Sequence, residues 1–233
     1  MTKYIPNTVT LLASLFGMLA VSFAFQDQLH LAGYCILLAA FCDWVDGLLA
    51  RALNAKSALG ADLDSLGDIV SFGVAPASIA FKLLEIMLPE HLMILSYIAF
   101  IIVPFSALRL AIFNNSTNQT TSFIGLPVPA HAMLWVGLVF LKNIDFEWIH
   151  HFYNPYLLLT YVIVFSLLLV SKLPLFGLKF SKDDKSYRNK TLWLFLIISI
   201  LLIVFFLWGG LFFIILLYVG SGLFSYFDRQ IKH

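Results

Sequence analysis

Charge is scarce in this chain: Asp, Glu, Lys and Arg make up 12% of 233 residues, and 13 acids against 14 bases leave a net +1. Soluble domains carry about 25% charged residues, so the scarcity argues against a water-soluble fold. A near-neutral balance also argues against a nucleic-acid partner. Cysteine is nearly absent too. Cys35 and Cys42 lie seven residues apart in one apolar segment and read as small buried hydrophobes, not as a disulfide or a zinc site. No soluble domain, repeat or low-complexity tract breaks the pattern.

What fills the chain is apolar sequence, 61% of residues, with a mean hydropathy of +0.93. A membrane span needs about 20 apolar residues. Candidate spans fall at 8–25, 29–50, 65–88, 92–113, 128–143, 155–173, 191–208 and 210–227, the fifth being the weakest and the last two parting at Gly209-Gly210. The first reads as a retained helix, longer than a signal-peptide core. With the N-terminus in the cytoplasm, eight spans leave only Lys82 and Lys142 of the 14 basic residues away from the inside segments. Lys3, Arg51, Lys56, Arg109, Lys172, Lys179, Lys182, Lys185, Arg188, Lys190, Arg229 and Lys232 fall inside, as the positive-inside rule asks. The expected fold is an all-α integral membrane protein, a polytopic bundle of about eight transmembrane helices with both termini cytoplasmic. It forms one membrane domain over 1–233, with a core over 1–150 and additional helices over 151–233.

Against this background four acids stand out. Asp43 and Asp46 precede Gly47, Ala50 and Arg51; after eight residues come Gly60, Asp64 and Asp68. Each carboxylate at the centre of a membrane helix costs roughly 2.5–3.5 kcal/mol on an insertion scale, so four cost about 10–14 kcal/mol. Asp43 and Asp46 are i,i+3 neighbours, Asp64 and Asp68 i,i+4 neighbours, so each pair shares a helix face. Asp43 lies eight residues before Arg51 and Asp68 eight after Gly60, which puts both about 12 Å from the intervening turn at Asn54. Two divalent cations would cancel four carboxylates. Oxygen ligands without His or Cys favour Mg²⁺ or Mn²⁺, and two such ions about 3.5–4 Å apart suit phosphoryl transfer. The same acids would also serve a cation-translocation path or pair with bases, although Arg51 is the single base nearby. Asp62 is out of phase with Asp64 and Asp68 and is expected at solvent or a helix end.

The eight anchoring residues match the D-x2-D-G-x2-A-R-x8-G-x3-D-x3-D motif, and on it the chain resembles the CDP-alcohol phosphatidyltransferases. Within that family it is most similar to the phosphatidylserine-forming branch. Ile5 to Thr10 (I-P-N-T-V-T), Asp64 to Pro76 (D-S-L-G-D-I-V-S-F-G-V-A-P), Arg109 to Asn114 (R-L-A-I-F-N) and Phe123 to Ala130 (F-I-G-L-P-V-P-A) carry that likeness. Ile112 departs from it, standing where that branch often has a second Arg. The likeness covers roughly residues 3–135.

The resemblance implies an integral membrane enzyme that moves a phosphatidyl group from CDP-diacylglycerol to the hydroxyl of L-serine, releasing CMP. It implies two divalent cations (Mg²⁺ or Mn²⁺) held by Asp43, Asp46, Asp64 and Asp68, with Asp68 also the candidate base. Another acceptor, glycerol 3-phosphate or an inositol compound, would use the same chemistry. Asn7, Thr10, Gly47, Ala50, Arg51 and Gly60 are the candidate CDP-lipid contacts. For the glycines and Ala50 the alternative is close helix packing; for Asn7 it is an ordinary N-cap. Arg109, Asn114 and Gly125 are the candidate serine contacts. Arg109 would clamp the carboxylate with its planar fork or else anchor topology at the membrane surface. His131 reads as structural. A homodimer among membrane lipids, and a bacterial inner membrane with the site facing the cytoplasm, complete the expectation.

Overall fold

The computed structural model describes residues 4–55, 57–115, 122–142, 144–176 and 188–231. Lys3, Lys56, Lys179, Lys182, Lys185 and Lys232, which carry half of the inside-positive charge, lie outside the described residues. The described chain is helical throughout apart from one short ribbon, in which Ser122–Ile124 (β1) pairs antiparallel with Pro174–Phe176 (β2).

Helix α1 (Ile5–Phe25) starts on Pro6, whose missing N–H costs nothing in a first turn. It buries Thr10, Ala13, Gly17, Ala20 and Ala24, spaced alternately by three and four, so one narrow face of small side chains points inward. Helix α2 (Leu29–Ala52) answers with Ala32, Gly33, Ile36 and Ala39. Small residues on both sides let two backbones approach closely where lipid supplies no hydrophobic drive. After the turn at Asn54, which takes φ +48°, α3 (Ala58–Asp68) begins on Ser57, whose hydroxyl accepts from the Gly60 N–H at 3.0 Å. The expected third span began at 65. The helix starts seven residues earlier because Ser57 caps it.

The helix does not stop at Asp68. It passes through one π-helical stretch (Ile69–Val74) into α4 (Ala75–Met87), making a continuous 30-residue span. A π-stretch inserts extra backbone and often marks a functional site. Here it sets Ser71 against α1: the Ser71 hydroxyl donates to the Ala13 carbonyl at 2.9 Å, and a Cβ on Gly17 would fall 2.7 Å from the Ser71 Cα. A 3₁₀ stretch (Glu90–Ile101) leads into α5 (Ile102–Asn115). Next come α6 (Val128–Leu141), a 3₁₀ segment (Glu147–Tyr153) and α7 (Pro155–Val170), the last two bent by 61°.

Helix α6 is the core. Eleven of its 14 residues are buried, Trp135 and His131 completely, and a helix buried on all sides is apolar all round. At 1.5 Å per residue it reaches about 21 Å, short of a bilayer's ~30 Å. That is the reason its span looked weak. Helices α8 (Arg188–Phe206) and α9 (Gly210–Ile231) form a hairpin. Leu207 takes φ +50° at the reversal, and a Cβ on Gly210 would sit 2.5 Å from the Leu202 carbonyl oxygen. The rings of Phe195 and Tyr218 then meet at 6.1 Å across the hairpin. Ile94, Val204 and Phe205 are 72%, 67% and 74% exposed, an outer surface suited to lipid and not to water.

Among the described residues five helical stretches are long and apolar enough to cross a membrane, or six with the bent pair; the chain is a membrane protein, with fewer such stretches than the eight expected. The short α6 falls below the required length, and 192–224 forms one apolar run despite its reversal. Ion pairs mark one end of the bundle: Lys82 binds Asp27 at 2.9 Å and Glu85 at 2.5 Å.

A Cβ on Gly137 would meet the Phe212 backbone nitrogen at 2.2 Å, so α6 and α9 touch backbone to backbone there. Gly137→Val is expected to cost at least the ~1–3 kcal/mol of an overpacked core, read as a lower thermal midpoint in detergent. Gly220→Ala, whose Cβ meets nothing within 4 Å, is the control and should leave the midpoint unchanged or raise it.

Candidate active site

At the bundle end opposite Lys82, the start of α1, the end of α2 and the start of α3 converge. Between them opens a cleft of about 220 Å³ lined by Pro6, Asn7, Thr10, Asp46, Gly47, Ala50, Ala55, Ser57, Gly60, Ala61 and Asp64. Five of the six candidate CDP-lipid residues meet here. Arg51 is the sixth: it is exposed and does not line the cleft. A Cβ on Gly47 would meet nothing within 4 Å, so Gly47 leaves open space. Gly60 is tighter, with Asn7 Oδ1 at 3.2 Å and Ser57 Oγ at 3.1 Å from its would-be Cβ.

Of the four acids, Asp46 and Asp64 line this cleft. Asp43, Asp64 and Asp68 each bring a carboxylate oxygen within 4.8 Å of the others, all three partly buried. Asp64 belongs to both groups, lining the cleft and joining the cluster. Asp46 is 7% exposed and stands on the cleft wall, its Oδ2 accepting from the Thr10 hydroxyl at 2.6 Å. Asp62 is exposed, as its phase requires.

The donor set fits a divalent cation. Three carboxylates gathered in apolar surroundings repel one another, and among the described residues the ion pairs lie at the other end, around Lys82. The pairing of these acids with bases, open from the sequence, is therefore not what the described residues display. Oxygen-only ligands suit a hard cation. Cys42, two turns from Cys35, stands outside the acidic group, and both thiols are free.

The candidate serine residues fall on a second segment. Arg109 is 4% exposed, not a surface anchor; its Nε donates to the Leu126 carbonyl at 3.2 Å and its guanidinium carbon lies 5.9 Å from the Phe113 ring centroid. Tyr218 of α9 is near enough to interact with it electrostatically. Gly125 holds φ +79°, a value that favours glycine, and a Cβ there would strike the Leu169 and Ser171 carbonyls at 2.7 and 2.8 Å. Backbone bonds from Gly125 to Leu173 and from Leu126 to Leu168 lock this turn to the end of α7. Asn114 reaches the other way, donating to Ser65 Oγ at 2.8 Å beside Asp64. The structure thus joins Arg109 to the Gly125 turn and Asn114 to α3. His131 accepts from Trp135 Nε1 at 3.4 Å inside the core.

Ser57, Ala55, Ala61 and Pro6 line the cleft without having been singled out. For Ser57 a signal existed, a serine just before a helical run with Gly60 three residues on. The Thr10–Asp46 bond had none, since partners 36 residues apart leave no local pattern.

A helical membrane bundle with three carboxylates clustered beside a cleft is an arrangement able to hold a divalent cation. The sequence profile of the CDP-alcohol phosphatidyltransferases matches residues 3–169, and the chain belongs to that family. It is 35% identical over 173 residues to the CDP-diacylglycerol–serine O-phosphatidyltransferase of Helicobacter pylori, covering 72% of this chain and 70% of that protein. It is 36% identical over 171 residues to the Bacillus subtilis protein of the same name, covering 73% and 89%. With the Methanocaldococcus jannaschii protein of that name identity is 39% over 139 residues, covering 60% and 62%.

If the acids hold a cation, Mn²⁺ should raise the thermal midpoint of the wild type, since a ligand at about 100 times its Kd stabilises by ~2.7 kcal/mol. Asp64→Asn, at the junction of cleft and cluster, should lose most of that shift; an equal shift in both proteins would remove the cation from this site.

Proposed function

We propose that this protein is a CDP-diacylglycerol–serine O-phosphatidyltransferase, forming phosphatidylserine and CMP in a membrane. The observation that carries the reading is the continuity of the Asn7–Gly60 cleft with the Asp43/Asp64/Asp68 cluster through Asp64. The names of the relatives supply the reaction, and the cleft supplies a place for it.

In this reading the cytidine enters between α1, α2 and α3, where Gly47, Ala50 and Gly60 present no bulk. Asn7 offers an amide to the base, and exposed Arg51 meets phosphate at the rim. Asp43, Asp46, Asp64 and Asp68 would hold two divalent cations, Mg²⁺ or Mn²⁺. When bound, such cations offset the charge of the pyrophosphate and of the departing CMP. The serine hydroxyl attacks the lipid-linked phosphorus; its oxygen–phosphorus bond forms as the bond to CMP breaks. Asp68 receives the hydroxyl proton on a carboxylate oxygen. Arg109, held by Leu126 and Phe113, presents its remaining guanidinium N–H groups to the serine carboxylate. Gly125 shapes that turn, and Asn114 fixes the end of α5 against the helix of Asp64. The cleft end faces the cytoplasm, where serine is available, in a bacterial inner membrane, and the protein works as a homodimer.

Purified protein given CDP-diacylglycerol, Mn²⁺ or Mg²⁺ and a panel of alcohols tests this directly. Serine-dependent CMP release is expected. Release with glycerol 3-phosphate or an inositol compound but not serine would overturn the acceptor and keep the chemistry. No release with any alcohol, together with metal uptake in vesicles, would replace the enzyme with a transporter. Arg109→Lys loses the planar fork and should raise the serine KM by about tenfold with a smaller change in kcat, whereas an unchanged KM would return Arg109 to a structural role.

A further inference from the structure

The four acids of the motif are not equivalent. Three gather within 4.8 Å of one another, and Asp46 stands apart from that group on the cleft wall. It is 7% exposed, and it carries a specific partner on another helix. The Thr10 hydroxyl, itself 6% exposed, lies 2.6 Å from Asp46 Oδ2 and 3.1 Å from the Pro6 carbonyl of its own helix. A hydroxyl has one proton, and both neighbours can only accept. The shorter contact to a charged oxygen takes it, because charge-assisted bonds are shorter and about twice as strong as neutral ones.

That assignment changes what Thr10 can do. Its proton is committed to Asp46, so it has no donor left for a nucleotide. The bond fixes the position of the Asp46 carboxylate, whose remaining lone pairs are left to a ligand. A carboxylate on a helix has two torsions that rotate its oxygens, and a bond from the neighbouring helix removes that freedom.

We infer that Thr10 is a positioning residue: its hydroxyl holds Asp46 Oδ2 from α1, so that Asp46 presents its carboxylate to a divalent cation in a fixed orientation. The inference rests on the reading of the acids as cation ligands and replaces the expectation that Thr10 touches the CDP-lipid. Groups that orient a metal-binding side chain from behind change metal affinity by roughly 10–100-fold when removed. Val and Thr are nearly the same size, so Thr10→Val deletes the hydroxyl and keeps the packing, while Thr10→Ser keeps the hydroxyl.

Mn²⁺ binding to the purified full chain in detergent, followed by the electron-spin resonance of free Mn²⁺ without substrates, reads this apart from turnover. Thr10→Val should weaken Mn²⁺ binding by about tenfold, and Thr10→Ser should stay within about threefold of the wild type. CDP affinity, measured at saturating Mn²⁺, should be the same in all three. Mn²⁺ affinity unchanged in Thr10→Val overturns the inference. So does a loss of CDP affinity at saturating Mn²⁺, which would make Thr10 a nucleotide contact. Should the valine variant fail to fold by thermal melting, Thr10→Ala gives the same readout and the same expected loss. A wild type that takes up no Mn²⁺ removes the cation reading and this inference with it. A wild type that binds Mn²⁺ but releases no CMP with serine leaves the inference standing and overturns only the acceptor.

Discussion

Unbalanced negative charge held within apolar sequence is the constraint on which the rest of this molecule depends. Three carboxylates at close quarters, without a described basic partner, are tolerable on two conditions, that a cation or protons offset the charge and that water reaches the site. The architecture supplies the second condition. Helices α1, α2 and α3 meet at one end of the bundle on faces of small residues, and the gap they leave reaches from the surface to Asp64. The π-stretch after Asp68 then lets the same helix carry acids on its first half and close contacts with α1 on its second. Gly17 and Ser71 touch where a β-carbon would not fit.

The site was far more legible in the sequence than the number of spans. Charge in an apolar run is a rare event, so Asp43 to Asp68 stood out without a structure, and helical spacing placed each pair on a face. Asn7, Thr10, Gly47, Ala50 and Gly60 then meet in one cleft because they sit near the ends of three adjoining helices. Span counting relies on length, and length misled where tertiary packing took over. Helix α6 needs no lipid-matched length because protein surrounds it, and the 192–224 run hides a reversal at Leu207. The Ser57 cap leaves a weak local signal in the sequence, whereas the Thr10–Asp46 bond, between residues far apart in the chain, leaves none.

Arg109 illustrates a limit of reading charge by topology. A basic residue near a helix end suggests a surface anchor, yet its guanidinium is buried between Phe113, the Leu126 carbonyl and the neighbourhood of Tyr218. Tyr218 lies beyond residue 169, where the family match ends, so the last hairpin packs against the part of the chain that defines the family. The turn at Gly125 is likewise fixed from outside its own segment, by the carbonyls that end α7.

A headgroup exchanged at one end of a helical bundle leaves both acyl chains in the leaflet from which they came. In the proposed reaction the water-soluble product would leave on the side of the cleft, and the new lipid would start in that leaflet. Reaching the opposite leaflet would then require carrying a charged headgroup through the apolar interior of the bilayer.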